Sequence, residues 1–74
     1  MRKRSIALAG HRTSIALEVP FWDALERIAT AEGRSLPQLI AEIDEARLKE
    51  TPRPGLASAL RVFVLDRARN QWPR

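Results

Sequence analysis

The residues able to do chemistry are few and mostly basic. His11 is the single histidine, and the 74 residues contain no cysteine. A metal site or a nucleophilic triad needs several converging groups, so an isolated imidazole reads as a turn residue or a phosphate contact. A glycine-rich phosphate loop is also missing, because the three glycines, Gly10, Gly33 and Gly55, lie far apart. Carboxylates such as Glu42, Asp44 and Glu45 have the spacing of a helix surface, not that of an acid–base pair across a cleft. The chain is therefore expected not to be an enzyme, with no catalytic residue, no cofactor and no metal.

What remains is the placement of positive charge. Residues 1–17 carry Arg2, Lys3, Arg4 and Arg12 with no acid, and the nine remaining basic residues are balanced by nine acidic ones. The whole net charge of +4 thus belongs to this first stretch. Concentrated positive charge suits a polyanion. The alternative is a solvated tail that only aids solubility. On the first reading Arg2, Lys3, Arg4 and His11 are candidate phosphate contacts.

The element that must position these charges is His11-Arg12-Thr13-Ser14-Ile15-Ala16-Leu17. In an extended chain Ile15 and Leu17 point one way, and Arg12, Ser14 and Ala16 the other. This alternation predicts a half-buried strand over 12–17. The rest of the chain reads mostly as helix, so the strand lacks an evident partner and would leave backbone N–H and C=O groups unpaired. The expected remedy is the same strand of a second copy, paired antiparallel about a two-fold axis. A single domain this small, with no disulfide, also gains from enlarging its core by oligomerisation.

Residues 1–10 are expected to form a basic N-terminal arm. A rival arrangement exists, because Ser5-Ile6-Ala7-Leu8 recurs as Ser14-Ile15-Ala16-Leu17. With Gly10-His11 as a two-residue turn, the two copies would make a hairpin within the chain. Met1-Arg2-Lys3-Arg4 before a short apolar run mimics the start of a signal peptide, but the run is too short and Arg12 follows at once. Apolar runs also fall well short of the roughly 20 residues that span a membrane. A cytoplasmic protein without membrane contact is expected.

Downstream, Pro20 opens a helix over 20–32 that presents Trp22, Leu25 and Ile28 at helical spacing, and Gly33 ends it. Ser35 and Gln38 have the spacing of a capping box for a second helix over 36–49, with Leu39, Ile40 and Ile43 on its buried stripe. Pro52 and Pro54 make residues 50–55 a linker. A C-terminal helix over 56–70 is apolar around most of its circumference, which predicts burial on more than one side, and 71–74 is a tail in which Trp72 packs back or stays loose. The expected dimer core comprises Ile15, Leu17, Trp22, Leu25, Ile28, Leu39, Ile40, Ile43, Leu60 and Phe63.

Strand, helix, Gly33-Arg34-Ser35 turn and second helix, over Arg12 to Ile43, resemble the ribbon-helix-helix (Arc/MetJ-like) superfamily. With Gly10-His11-Arg12-Thr13-Ser14 and the helix at Leu56-Ala57-Ser58-Ala59-Leu60-Arg61, the chain looks like a small bacterial subfamily with an extra C-terminal helix. The resemblance implies a mainly α fold with one short strand. Two chains would share an intermolecular antiparallel two-stranded β-ribbon, with three helices per chain. It implies a sequence-specific DNA-binding protein, a homodimeric transcriptional repressor that inserts the ribbon in the major groove of double-stranded DNA. The implied base readers are Arg12, Ser14 and Ala16. Arginine offers two hydrogen bonds to guanine, whereas Ala16 offers only a methyl contact to thymine. The implied phosphate grip lies around Arg34, Ser35 and Leu36 at a helix N-terminus, where Pro37 removes one N–H. The alternative is an antitoxin-like or other protein-interaction module, whose C-terminal helix holds a protein partner.

Overall fold

In a computed structural model, which describes residues 1–71, the strand finds its partner inside its own chain. Strand β1 (Arg2–Leu8) pairs antiparallel with β2 (His11–Leu17), with Ser5 opposite Ser14 and Leu8 opposite His11. This corrects the expectations of a basic arm over residues 1–10 and of a single strand with no partner in its own chain. The physical reason is the repeated Ser-Ile-Ala-Leu segment: Ile6 and Leu8 give β1 an apolar face matching that of Ile15 and Leu17. Both faces are buried together against the helices. Closing a two-residue loop costs little entropy by comparison with recruiting a second chain.

The loop is Ala9-Gly10 and not Gly10-His11. Its residues have φ of 48° and 81°, the two left-handed conformations of a type I′ turn, whose twist matches that of the strands it joins. Glycine adopts this conformation freely. Alanine at the first position bears a steric cost there.

Three helices follow. Helix α1 (Val19–Ala31) has Pro20 in its first turn, where the missing N–H costs nothing. It ends in a Schellman motif: Gly33, at φ 67°, donates to Thr30 O at 3.1 Å, and Arg34 N–H donates to Ala29 O at 2.9 Å. Helix α2 (Leu36–Leu48) opens with a reciprocal capping box, in which Gln38 N–H donates to Ser35 Oγ and Ser35 N–H donates to Gln38 Oε1. Helix α3 (Leu56–Arg69) follows the proline-containing linker and touches α1, α2 and β2.

The core closes within one chain. Ile6, Leu8, Ile15 and Leu17 of the hairpin meet Trp22, Leu25 and Ala29 of α1, Leu39, Ile40 and Ile43 of α2, and Leu60 of α3. Ile28 and Phe63 pack against this cluster and are partly buried. Helix α3 is single-sided within the chain: Leu60 is fully buried, whereas Val62 and Leu65 are 52% and 47% exposed. The burial on a further side that its apolar circumference predicts is not supplied within the chain, because one hairpin and two helices cover only one of its faces. Trp72, placed by sequence in the tail, lies outside the described residues. Among the described residues, no helix is long and apolar enough to cross a membrane.

Among the described residues, two ion pairs tie α3 to the rest. Arg61 holds Glu18, at the junction of hairpin and α1, with two bonds of 2.9 and 3.1 Å. Arg67 reaches Glu32, just after α1, at 2.8 Å. The hydrogen bond from Arg61, aided by a backbone hydrogen bond, holds the Glu18 carboxyl below its ordinary value of 4.5. The hydrogen bond from Arg67 does the same for Glu32, with a smaller one from Arg34, while burial opposes both shifts. A depressed folded-state pKa stabilises the fold above the ordinary carboxylate value, and that stabilisation is lost as pH falls through the folded value. The urea midpoint should therefore hold down to about pH 5 and then fall below the ordinary value of 4.5. A Glu18→Gln, Glu32→Gln double variant should start lower at neutral pH and show a shallower acid slope.

The turn generates a second prediction. Ala9→Asn creates the Asn-Gly pair that type I′ turns favour, and should raise unfolding free energy by about 1 kcal/mol, the scale of the left-handed penalty on alanine. Urea denaturation measures it, and an unchanged or lower stability would show that residues 9 and 10 are not in this turn.

Candidate nucleic-acid interface

Pairing register and side-chain alternation together decide which residues share the hairpin's outward face. Directly opposed residues lie on one side of a two-stranded sheet. The pairs Arg2–Leu17, Arg4–Ile15, Ile6–Thr13 and Leu8–His11 therefore share the face turned to the helices. Lys3–Ala16, Ser5–Ser14 and Ala7–Arg12 share the outward face. All six outward residues are exposed except Ala16, which is half-buried. Arg12 Nε–H donates to Ser5 Oγ at 3.3 Å, a diagonal contact that leans the guanidinium across the middle of the hairpin.

Arg12, Ser14 and Ala16 are thus brought together on one exposed surface. Lys3, Ser5 and Ala7 stand beside them. From sequence alone Lys3 reads as a phosphate contact, and Ser5 and Ala7 have no role. The signal that links them to the other three is the Ser-Ile-Ala-Leu repeat itself.

The remaining basic candidates fall in different surroundings. Arg2 has an exposed side chain at the start of β1, and its carbonyl accepts a hydrogen bond of 2.9 Å from Trp22 Nε1. This bond satisfies the polar edge of a nearly fully buried indole and pins the first residue of the hairpin to α1. Arg4 lies on the face turned to the helices. Its guanidinium stacks 4.9 Å from the centre of the Trp22 ring and reaches Glu26 at 3.5 Å. His11 is exposed beside the turn.

Arg34 is already neutralised within the chain. Its guanidinium binds Glu32 at 3.1 Å, pairs with Glu42, and donates to the carbonyl of Gln38 at 3.2 Å. A phosphate at this turn would have to displace two carboxylates. Ser35 is likewise committed, because its hydroxyl accepts from Gln38 and its N–H donates to Gln38. With both of these N–H groups used by the capping box, and none on Pro37, the half-buried Leu36 contributes the N–H left for an anion at the start of α2.

Among the described residues, no group of three or more histidine, cysteine or carboxylate side chains is placed to hold a metal ion. An open cleft between α2 and α3 is lined by Leu39, Ile43, Ala59, Val62 and Phe63 and rimmed by charged side chains such as Glu42 and Arg47.

A family model described as a ribbon-helix-helix domain matches residues 1–68. No curated protein matches the chain, and no solved structure does.

Proposed function

Because this chain belongs to the ribbon-helix-helix domain family, a family of DNA-binding regulators, we propose that it is a sequence-specific, dimeric transcriptional repressor of the cytoplasm. In this reading it lays the outward face of the hairpin in the major groove of double-stranded DNA. The observation that carries the reading is that face: Arg12 and Ser14, exposed, on a two-stranded ribbon of the kind the major groove admits. Arg12 supplies a bidentate contact to guanine, Ser14 a hydroxyl that donates or accepts, and Ala16 a methyl group for thymine.

The phosphate grip rests on Arg2, His11 and the Leu36 N–H. Arg4 and Arg34 contribute less, since their guanidinium groups are engaged by Trp22, Glu26, Glu32 and Glu42. Self-association is supported by the unpaired outer edges of the hairpin and by the exposed Val62 and Leu65 of α3. The same exposed side chains and the neighbouring α2–α3 cleft favour, as a second reading, a protein partner held by α3.

Two measurements test the proposal. Arg12→Ala should lose preference for a selected site by about 1–3 kcal/mol, roughly 5- to 150-fold, and affect scrambled DNA far less. If both DNAs weaken equally, the hairpin is not the reader. With about six phosphate contacts per dimer, log K against log salt should fall with a slope near −5. Arg2→Ala should flatten that slope, whereas Arg34→Ala should leave it nearly unchanged.

A further inference from the structure

The two strands repeat each other over Ser-Ile-Ala-Leu in sequence, and in pairing register and burial. A step of nine residues carries Ser5-Ile6-Ala7-Leu8 onto Ser14-Ile15-Ala16-Leu17, and carries Lys3 onto Arg12. The same step preserves the register: the pair Lys3–Ala16 becomes Arg12–Ala7, Ile6–Thr13 becomes Ile15–Arg4, and Ser5–Ser14 maps onto itself. A local two-fold axis therefore passes through the Ser5–Ser14 pair, normal to the sheet. Exposure follows the same symmetry. Position by position, the strands agree in burial at six of their seven residues, the exception being Ala7, exposed, against Ala16, half-buried. Strand β1 thus occupies, within one chain, the place that a second β2 would take.

We propose that one chain reads DNA with both strands, and that Lys3 and Ser5 are specificity-determining residues equivalent to Arg12 and Ser14. The inference rests on the DNA-binding reading above and reassigns Lys3 from gripping phosphate to reading bases. The geometry supports this reassignment. Lys3 is on the outward face with Arg12, whereas Arg2 and Arg4 are on the other. Arg12 leans diagonally onto Ser5, and the register puts Lys3 on the equivalent diagonal to Ser14.

The chemistry of the pair then predicts the form of the site. A two-fold reading surface matches a palindromic sequence. Here the surface is an imperfect dyad, because the two cations differ. Arginine presents a rigid fork to the two guanine acceptors, whereas lysine presents a flexible point charge that discriminates less. Each hairpin should therefore select a short imperfect palindrome centred on the base step under Ser5 and Ser14. The half under Arg12 should be strictly selected and the half under Lys3 loosely.

The test is selection from randomised duplex DNA with the full chain and three variants, Lys3→Ala, Lys3→Arg and Arg12→Ala, followed by affinity measurement on selected and scrambled duplexes at one salt concentration. Lys3 and Arg12 are both exposed, so circular dichroism should show all variants folded. The expected outcome is that Lys3→Ala erases preference in the loose half and leaves the strict half intact. Affinity should drop several-fold or more on the selected duplex and little on the scrambled one. Lys3→Arg should make both halves strict, and Arg12→Ala should erase the strict half. Equal weakening of both duplexes by Lys3→Ala would overturn the inference and return Lys3 to phosphate contact. A complete consensus retained by Lys3→Ala, with loss in Arg12→Ala, would overturn it while leaving the DNA-binding reading standing. Absence of any consensus for the unaltered chain would instead overturn the DNA-binding reading itself.

Discussion

The structure depends on the pairing of Ser5 with Ser14 across one antiparallel hairpin. Side chains alternate with a period of two, so this single register decides the face of every residue from Arg2 to Leu17. A slip of one residue in either strand would turn that strand's apolar pair, Ile6 and Leu8 or Ile15 and Leu17, toward solvent and bring polar side chains onto the core. Two local features hold the register. The Ala9-Gly10 turn admits only two residues between the strands. At the open end, Trp22 Nε1 binds the carbonyl of Arg2, so the start of β1 is fastened to α1. Among the described residues, the most deeply buried aromatic side chain, Trp22, is thus also a clamp on the hairpin.

That constraint sorts the positive charge into spent and unspent. Arg4, turned inward by alternation, lies over Trp22 and beside Glu26. Arg34, Arg61 and Arg67 are taken by carboxylates from other elements. Exposed pairs of this kind contribute little to stability individually, but they change what a surface offers to an approaching anion. Lys3 and Arg12 stand on the one face that the core does not use. Half of the excess charge seen in the first 17 residues, that of Lys3 and Arg12, therefore lies on one exposed two-stranded surface.

The helices were legible in the sequence because their ends carry local chemistry. Ser35 with Gln38, Gly33 at the Schellman position and Pro20 in the first turn all act within a few residues of themselves, so spacing alone reveals them. The outward face of β2 was legible for the same reason, since alternation is local. Strand β1 was not. Arg2, Lys3 and Arg4 read as a basic arm, and Ala9-Gly10 lacks the asparagine or aspartate that usually marks a type I′ turn. The Ser-Ile-Ala-Leu repeat carried the information but does not itself say whether the copies pair within one chain or between two. Arg34 shows a different limit. Its engagement depends on Glu42, eight residues on, and on Glu32 before the turn, a convergence that requires α1 and α2 to be already packed.

The central claim is that β1 and β2 of the same chain form the ribbon. Isotope-filtered nuclear Overhauser spectroscopy on a one-to-one mixture of labelled and unlabelled protein, mixed unfolded and refolded together, tests it most directly. The account predicts strong cross-strand contacts around Ser5 and Ser14 among the labelled chains alone and none between labelled and unlabelled chains. Cross-strand contacts between labelled and unlabelled chains at those residues would contradict it, and would make the ribbon a structure shared by two copies.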